Sequence, residues 1–242
     1  MSTAAQRSPG RGLFVAGTDT GVGKTRVACA LLRALRALGV RVTAMKPVET
    51  GVGEPGPLDA LALREAAGGD SHLDDICPER FELPAAPSVA AHAEGRRVDL
   101  ARIDAAYQRL RGSHEVVVVE GAGGLRVPID AGIDMAGLAK RFDSPVLLVA
   151  RAALGTFNHT LLSLEALERE GLGMLGVVIS HTEGPLGDAH TRNLAALKDR
   201  LGAQLLGEIP PLGPGVPTPP NCLDVDTLWS RFERLGGATR ER

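Results

Sequence analysis

The sequence is poor in cysteine and in long hydrophobic runs. Its 242 residues include only three cysteines, which lie far apart and form no C-x-x-C pair: Cys29, Cys77 and Cys222. Such a scattered, odd number argues against a disulfide framework and against a zinc site. The apolar run at residues 13–16 is too short for a signal-peptide core, and no stretch reaches the roughly 20 apolar residues of a membrane span. We therefore expect a cytoplasmic protein with reduced thiols and no membrane partner.

Concentrated positive charge and several common catalytic motifs are also lacking. Lys and Arg number 27 against 29 Asp and Glu, for a formal net charge of −2, and no dense basic run occurs. A nucleic-acid partner bound through a basic face is therefore not indicated. The six histidines show neither H-E-x-x-H nor another metal-ligand spacing, and the chain has no G-x-S-x-G elbow. These absences disfavour histidine-ligated metalloenzymes and serine hydrolases of that type.

Short apolar runs alternate with longer amphipathic stretches. The runs predict strands at 13–17, 41–46, 115–120, 145–150, 173–180 and, more briefly, near 204–207. Several are continuously apolar, as in VVVV at 116–119, which is typical of parallel strands covered on both faces. The amphipathic stretches predict helices at 23–38, 59–67, 99–111, 134–141, 158–170 and 188–201. The alternation predicts an α/β fold with one doubly wound, mostly parallel sheet.

Neither an internal repeat nor a shift in composition divides the chain. We interpret residues 11–242 as one domain and residues 1–10 as a disordered tail. Six prolines between positions 210 and 220 predict an extended surface loop before a last helix around 225–235. That loop either shields a bound base or is a plain linker, and composition leaves both alternatives open.

The strongest local signal is the segment GTDTGVGKT at residues 17–25, between the first strand and the first helix. Glycines let backbone N–H groups turn toward phosphate oxygens, and a helix N-terminus adds the positive end of its dipole. In such a loop Lys24 would contact the β- and γ-phosphates of ATP, while the Thr25 hydroxyl would bind Mg²⁺. We therefore predict a P-loop (phosphate-loop) nucleotide enzyme. The loop residues predicted to bind nucleotide are Asp19, Thr20, Gly21, Val22, Gly23, Lys24 and Thr25.

The loop departs from the common spacing G-x-x-x-x-G-K-[ST], which would require glycine where the chain has Thr18. A similar variant occurs in the partition and septum-site ATPases, which are regulatory switches. Those proteins carry a signature lysine at the position of Asp19, so this acidic residue argues against that class. A regulatory P-loop ATPase is nevertheless kept as the alternative function. A ligase of the cobyrinic acid amidase type is a further alternative, although the chain is too short for the glutaminase domain of those enzymes.

Four segments, in this order, resemble motifs of the dethiobiotin synthetases. They are GTDTGVGKT at 17–25, KPVETG at 46–51, DAL at 59–61 and EGAGG at 120–124. Weaker matches follow at 154–159 and 206–210. The resemblance implies that the chain closes a ureido ring on 7,8-diaminononanoate with CO₂ and ATP, through a carbamate and a carbamic–phosphoric anhydride, to give dethiobiotin, ADP and phosphate. It also implies a homodimer with substrate sites at the interface.

The residues of these segments suit particular roles. Lys46 and Glu120 end predicted strands, at the edge where open α/β sheets bind ligands. The predicted catalytic residues are Lys24, Lys46 and Thr20, because two ammonium groups offset the charge of a transferring phosphoryl group. The predicted magnesium ligands are Thr25, Asp59 and Glu120. Asp59 is alternatively a helix N-cap.

The predicted substrate-binding residues are Thr20, Lys46, Thr50, Gly121, Gly155 and Asn158. For Thr20 and Thr50 a purely structural role is the alternative, and for Asn158 a helix N-cap. In the family, the segment matching 154–158 belongs to the partner subunit and contacts the carboxylate tail of the substrate.

The predicted nucleotide-binding residues outside the loop are Glu120, Gly121, Gly123, Ser180 and Pro210. Many family members carry Asn where this chain has Ser180, and there the Asn reads adenine. Serine has less reach and lacks the amide donor–acceptor pair. We therefore hypothesise looser base selectivity, with CTP or GTP able to replace ATP.

Overall fold

The centre of the molecule is a parallel β-sheet of six strands. The computed structural model describes residues 9–182, 184, 186–213 and 216–237. Its strands are β1 (Arg11–Gly17), β2 (Val42–Met45), β3 (Val48–Thr50), β4 (Glu79–Phe81), β5 (Val116–Gly124), β6 (Pro128–Asp130), β7 (Ile133–Asp134), β8 (Val146–Arg151), β9 (Met174–Ser180) and β10 (Leu205–Ile209). The main sheet has the order β10-β9-β8-β1-β5-β2, with every neighbouring pair parallel. A parallel pair β3–β4 and an antiparallel pair β6–β7 stand beside it.

Helices cover both faces of this sheet. They are α1 (Lys24–Ala37), α2 (Leu58–Ala67), α3 (Leu73–Ile76), α4 (Pro87–Ala93), α5 (Leu100–Ser113), α6 (Met135–Arg141), α7 (Thr156–Glu170), α8 (Asp188–Leu201) and α9 (Val225–Gly237). Short 3₁₀ turns lie at Gly202–Gln204 and Pro220–Cys222.

The valine run of β5 shows why the sheet must be covered twice. All four valines are fully buried, but their side chains alternate between two hydrophobic clusters. Val117 and Val119 pack with residues of α5, whereas Val116 and Val118 pack with residues of α1 on the opposite face. Successive side chains of a strand point to opposite faces, so a strand buried on both sides needs an apolar residue at every position. The predicted doubly wound α/β fold is confirmed.

Each of the six predicted strands corresponds to a strand of the main sheet, and each predicted helix is present. Some bounds were wrong: α7 begins at Thr156 rather than at 158, α2 begins at Leu58, and β5 continues to Gly124. The sequence analysis missed β3, β4, α3, α4 and the β6–β7 pair. Elements of two to seven residues are too short to build up a recognisable periodicity.

The first strand and the last helix meet at the amino-terminal edge of the sheet. An Nη of Arg11 donates to the carbonyl oxygen of Phe232 at 2.7 Å, and the guanidinium lies over the Phe232 ring, 4.2 Å from its centre. Of the predicted tail at 1–10, residues 1–8 lie outside the described part of the chain. Gly10 is buried, and its N–H donates to the carbonyl of Arg111 at 2.7 Å. Within the described ranges, no helix is long and apolar enough to cross a bilayer.

Candidate active site

The phosphate loop joins the end of β1 to the start of α1. Gly21 and Gly23 have φ values of 71° and 92°, a left-handed conformation that glycine adopts without a steric penalty. The Lys24 ammonium folds back over the loop and donates to the carbonyl of Asp19 at 3.0 Å. Gly17 permits this fold, because a Cβ at that position would lie 2.9 Å from the Lys24 nitrogen. The loop therefore has the backbone that a phosphate site needs, with the lysine pulled inward.

The Lys24 side chain is buried and close to another cation. Burial, followed by repulsion from Lys46, lowers the pKa of Lys24 to about 8, while Glu120 and Asp59 oppose the shift. An ammonium held in this way gains from an anion placed beside it. That electrostatic demand matches the phosphate-binding role predicted for Lys24.

Four side chains from four different elements converge beside the loop. The Lys46 ammonium follows β2 and lies 2.5 Å from a Glu120 carboxylate oxygen on β5 and 2.8 Å from an Asp59 oxygen on α2. The hydroxyl of Thr25, in the first turn of α1, lies 2.9 Å from an oxygen of each of the same two carboxylates. The structure thus brings together all three predicted magnesium ligands and one of the two predicted catalytic lysines.

The charges of this cluster depend on one another. Burial alone would lower the pKa of Lys46, but Glu120 and Asp59 more than offset it, so that its pKa is raised and the ammonium stays charged. Burial would raise the pKa of Asp59, yet the ion pair with Lys46 holds it below its usual range. For Glu120, burial dominates and raises the pKa, with Lys46 opposing. Lys46 is therefore the counter-ion of two carboxylates, the buried Glu120 and the partly exposed Asp59.

The oxygen atoms of the cluster fit a magnesium ion. A threonine hydroxyl has one proton and so cannot donate to both carboxylates that it touches. Within the described residues, the second oxygen of Glu120 is buried without a hydrogen-bond partner. Buried oxygens with unused lone pairs are the ligands that Mg²⁺ prefers, with phosphate and water completing its shell. In the same part of the chain, no group of three or more His, Cys, Asp or Glu side chains could hold a metal ion, so a metal here would depend on the hydroxyl and a nucleotide.

Gly123 and Gly124, at the carboxyl end of β5, pack against the phosphate loop. Gly123 has a φ of 68°, and a Cβ on it would lie 3.3 Å from the Thr20 hydroxyl and 2.7 Å from Val127. A Cβ on Gly124 would lie 3.3 Å from the carbonyl of Thr18. The end of β5 is thus a close backbone neighbour of the phosphate loop, and a side chain on Gly123 or Gly124 would push the two segments apart.

The remaining predicted residues lie at the same edge of the sheet but in less connected positions. Thr50 ends β3. Gly155 is the N-cap of α7, with a φ of 85°, so the alternative that Asn158 caps this helix was wrong. Asn158 is an exposed residue of the first turn. Pro210 directly follows β10 and is half-buried.

Ser180 lies beneath the phosphate loop. It ends β9, is fully buried, and its hydroxyl has no hydrogen-bond partner among the described residues. A Cβ on Gly23 would lie 2.4 Å from this hydroxyl. A side chain this short is enclosed against the loop backbone.

Two residues near the site were missed by the sequence analysis. The carboxylate of Glu49, on β3, accepts the backbone N–H groups of Asp59 and Ala60 at 3.0 and 2.9 Å. Arg151, at the end of β8, has an Nη 4.0 Å from a carboxylate oxygen of Asp19. The sequence held no signal for Glu49, which stands three residues after Lys46 at the one position of KPVETG that the motif leaves unspecified.

Known proteins identify the family. Residues 11–217 match the protein family described as "AAA domain". The ATP-dependent dethiobiotin synthetase BioD of Anaeromyxobacter dehalogenans (strain 2CP-C) is 56% identical over 178 residues, which cover 74% of this chain and 79% of that protein. This chain belongs to the dethiobiotin synthetase family. Two further dethiobiotin synthetases are those of Aromatoleum aromaticum, 44% identical over 204 residues (83% of this chain and 90% of that protein), and Akkermansia muciniphila, 40% identical over 199 residues (82% and 92%).

Similar solved structures place this dethiobiotin synthetase family member among the P-loop folds. The MinC:MinD cell division complex of Aquifex aeolicus is 18% identical, with a TM-score of 0.51, and covers 94% of this chain and 96% of that one. The cell division ATPase MinD of Pyrococcus furiosus is 20% identical, with the same TM-score, and covers 93% and 99%. At such identities the likeness concerns the fold alone, which confirms the predicted P-loop NTPase-like architecture.

Proposed function

We propose that this chain is an ATP-dependent cyclo-ligase that forms dethiobiotin from 7,8-diaminononanoate, CO₂ and ATP, in biotin biosynthesis. The observation that carries the proposal is the convergence of Lys24, Thr25, Lys46, Asp59 and Glu120 at one sheet edge, in a chain 56% identical to a protein of that name. With ATP as co-substrate, we infer that the reaction takes place in the cytoplasm.

The chemistry proceeds in three steps. One amine of the substrate attacks CO₂ and loses a proton, which forms an N–C bond and a carbamate. A carbamate oxygen then attacks the γ-phosphorus, and the bond to the ADP oxygen breaks, which gives a carbamic–phosphoric anhydride. Finally the second amine attacks the carbamate carbon, loses a proton and expels phosphate, which closes the ureido ring. None of these steps requires a covalent nucleophile on the protein, so positioning and charge stabilisation are the main demands.

The two lysines meet the demand for charge stabilisation. Lys24 sits inside the phosphate loop and Lys46 lies beside it. Both ammonium groups would offset charge on a phosphoryl group transferred there. The Thr20 hydroxyl, next to Gly123, and the Thr50 hydroxyl would orient the diamine or its carbamate. Gly121 is buried, and a Cβ on it would lie 3.0 Å from the Phe14 ring, so it would contact the substrate only through its backbone.

Thr25, Asp59 and Glu120 would hold Mg²⁺. When bound, the ion supplies a positive charge that offsets the negative charge on the phosphoryl oxygens. The unpartnered oxygen of Glu120 and the doubly contacted hydroxyl of Thr25 support this assignment.

We infer a homodimer in which Gly155 and Asn158 complete the substrate site of the other subunit. These residues are exposed, and large apolar side chains flank them: Leu154 is 67% exposed and Leu162 is 55% exposed. Burial of such side chains against a second copy would stabilise a dimer. The positive end of the α7 dipole would suit the carboxylate of the substrate tail.

The nucleotide would lie along residues 19–25 and the 120–123 segment, with its base toward Ser180 and Pro210. Since the Ser180 hydroxyl is enclosed beneath the loop, it would not form the pair of hydrogen bonds with adenine that an asparagine amide could form. This supports the hypothesis of looser base selectivity.

The deciding assay measures product from 7,8-diaminononanoate, bicarbonate, Mg²⁺ and ATP, with Lys24→Ala as the matched control. We expect dethiobiotin and one phosphate per turnover, both lost in the variant. Nucleotide binding without dethiobiotin would contradict the proposal. It would favour the regulatory ATPase instead, as would hydrolysis stimulated by DNA or membrane rather than by the diamine.

A further inference from the structure

The first turn of α2 contains a metal-ligand candidate but has no capping side chain of its own. The N-cap position is Pro57, and no side chain from that position accepts a helix N–H. Asp59 and Ala60 are the second and third residues of the helix, whose N–H groups an N-cap side chain normally satisfies. Without a substitute acceptor, the turn that presents the Asp59 carboxylate would be prone to fray.

Glu49 supplies that acceptor from a different element. Its two carboxylate oxygens accept one N–H each, from Asp59 at 3.0 Å and from Ala60 at 2.9 Å. The Glu49 side chain is buried, with 7% of the residue exposed, and it places a negative charge at the positive end of the helix dipole. Charge-assisted hydrogen bonds of this kind are about twice as strong as neutral ones.

The strand that carries Glu49 is itself held in place. β3 pairs with β4 through Val48 opposite Glu79 and Thr50 opposite Phe81. The backbone N–H of Val52 continues this pairing by donating to the carbonyl of Phe81 at 2.9 Å. The small β3–β4 sheet therefore gives Glu49 a fixed base.

The same short segment holds Asp59 from two sides. Lys46 contacts the Asp59 carboxylate at 2.8 Å, whereas Glu49, three residues later, binds the Asp59 backbone. The aspartate can reach Thr25 only if its Cα stays where Glu49 fixes it. A shift of the first turn would carry the carboxylate away from the Thr25 hydroxyl.

We propose that Glu49 is a positioning residue for the magnesium site, acting through the backbone of α2 to hold the Asp59 carboxylate next to Thr25 and Glu120. This inference rests on the proposed function, and specifically on the metal role of Asp59. Removal of a group that holds a metal ligand in place typically weakens metal affinity by about 10- to 100-fold.

The test uses Mn²⁺ as a spectroscopic probe in the full-length protein bound to a non-hydrolysable ATP analogue. Electron paramagnetic resonance titration gives the Mn²⁺ affinity without requiring turnover. We expect Glu49→Gln to weaken this affinity about ten-fold or more, because its amide group turns one acceptor into a donor facing a helix N–H. Glu65→Gln, on the exposed face of the same helix, is the matched control and should leave the affinity unchanged.

A second substitution distinguishes positioning from general stability. Pro57→Asp restores a capping carboxylate at the N-cap position itself, so Glu49→Gln combined with Pro57→Asp should recover most of the Mn²⁺ affinity. If Glu49→Gln lowers only the unfolding temperature and leaves the Mn²⁺ affinity intact, the inference is wrong. Should Glu49→Gln not fold, Glu49→Asp keeps the charge but shortens the reach, and the same loss of affinity is expected.

Asp59→Asn separates this inference from the proposed function. If that variant binds Mn²⁺ as tightly as the wild type, the metal role of Asp59 fails and the inference fails with it. If Asp59→Asn weakens binding while Glu49→Gln does not, the metal site stands and only the role of Glu49 is overturned.

Discussion

The Lys46 ammonium lies between two carboxylates that a metal ion could bind. We therefore predict that removal of this lysine strengthens metal binding rather than weakening it. In the nucleotide-free protein, Lys46→Met should increase the affinity for a divalent cation while it abolishes most of the activity. The substitution keeps the length and the apolar stem of the side chain but removes the ammonium. Asp59 and Glu120 are then left without their counter-ion.

The magnitude follows from the contacts. The ammonium lies 2.5 and 2.8 Å from the two carboxylate oxygens. Breaking a buried pair such as Lys46–Glu120 costs about 3–5 kcal/mol, because an unpaired charge remains out of water. The Asp59 carboxylate is 43% exposed, so its pair with Lys46 adds little to this cost. In the wild type, a divalent cation must displace the Lys46 ammonium, and part of this free-energy cost is subtracted from its binding energy. A loss of about 1.4 kcal/mol corresponds to a ten-fold weaker affinity. We therefore expect at least a ten-fold tighter Mn²⁺ complex for Lys46→Met.

The assay is an Mn²⁺ titration of both proteins without nucleotide, at a mildly alkaline pH that keeps the freed carboxylates ionised. Lys140→Met serves as the control, because Lys140 is an exposed residue whose nearest acidic partner, Glu170, is 3.9 Å away. Equal or weaker Mn²⁺ binding by Lys46→Met would refute the reasoning, since it would mean that the ammonium does not compete with the metal. Activity should fall about 10²- to 10³-fold in the same variant, as for other groups that stabilise charge in the transition state.

Three further predictions concern the base, the loop and the far end of the sheet. Because Ser180 is enclosed and lacks an amide, CTP or GTP should support turnover at rates comparable to ATP at matched concentrations; strict dependence on ATP would contradict this. Gly17→Ala should lower kcat/KM about 10- to 100-fold by displacing the loop lysine, since its Cβ would lie 2.7 to 2.9 Å from three neighbouring atoms, whereas Gly112→Ala, with no described atom within 4 Å, should not change kcat/KM. Burial favours a higher pKa for Glu208, but hydrogen bonds from Lys198 and a neighbouring histidine outweigh it and lower this pKa below its ordinary 4.5. The ionised carboxylate therefore stabilises the fold fully above pH 4.5, and this stabilisation is lost as the pH falls through the lowered pKa. The difference in unfolding temperature between wild type and Glu208→Gln should accordingly shrink on acidification, and a difference that grows would show the sign to be wrong.

The sequence predicts the main sheet well because its strands are buried on both faces. A run such as residues 116–119 has no alternative to a covered strand, and its flanking helices have a clear apolar period. The phosphate loop can be predicted equally well, since the geometry of phosphate binding requires its glycines, lysine and threonine at particular positions. The loop could be placed, and its lysine assigned, without any coordinates.

The residues and contacts that hold the site residues in position were harder to predict. Glu49 looks like an ordinary solvated charge, because nothing local reveals that an unrelated helix start, ten residues later, will depend on it. For Asp59 the N-cap alternative was wrong, as the helix begins at Leu58 with Pro57 as its N-cap. Contacts between residues brought together only by the tertiary fold, such as those of Lys46 with Asp59 and Glu120, leave no periodic trace in the sequence.

The contact between Arg11 and Phe232 has a consequence for how this protein can be rebuilt. It places the first strand next to the last helix, at the edge of the sheet opposite the phosphate loop. A short flexible linker could therefore join α9 to β1, and a new start and end could be opened in a surface loop between helices. A permuted protein of this kind would keep every residue of the candidate site in place while changing the order in which the strands emerge during synthesis.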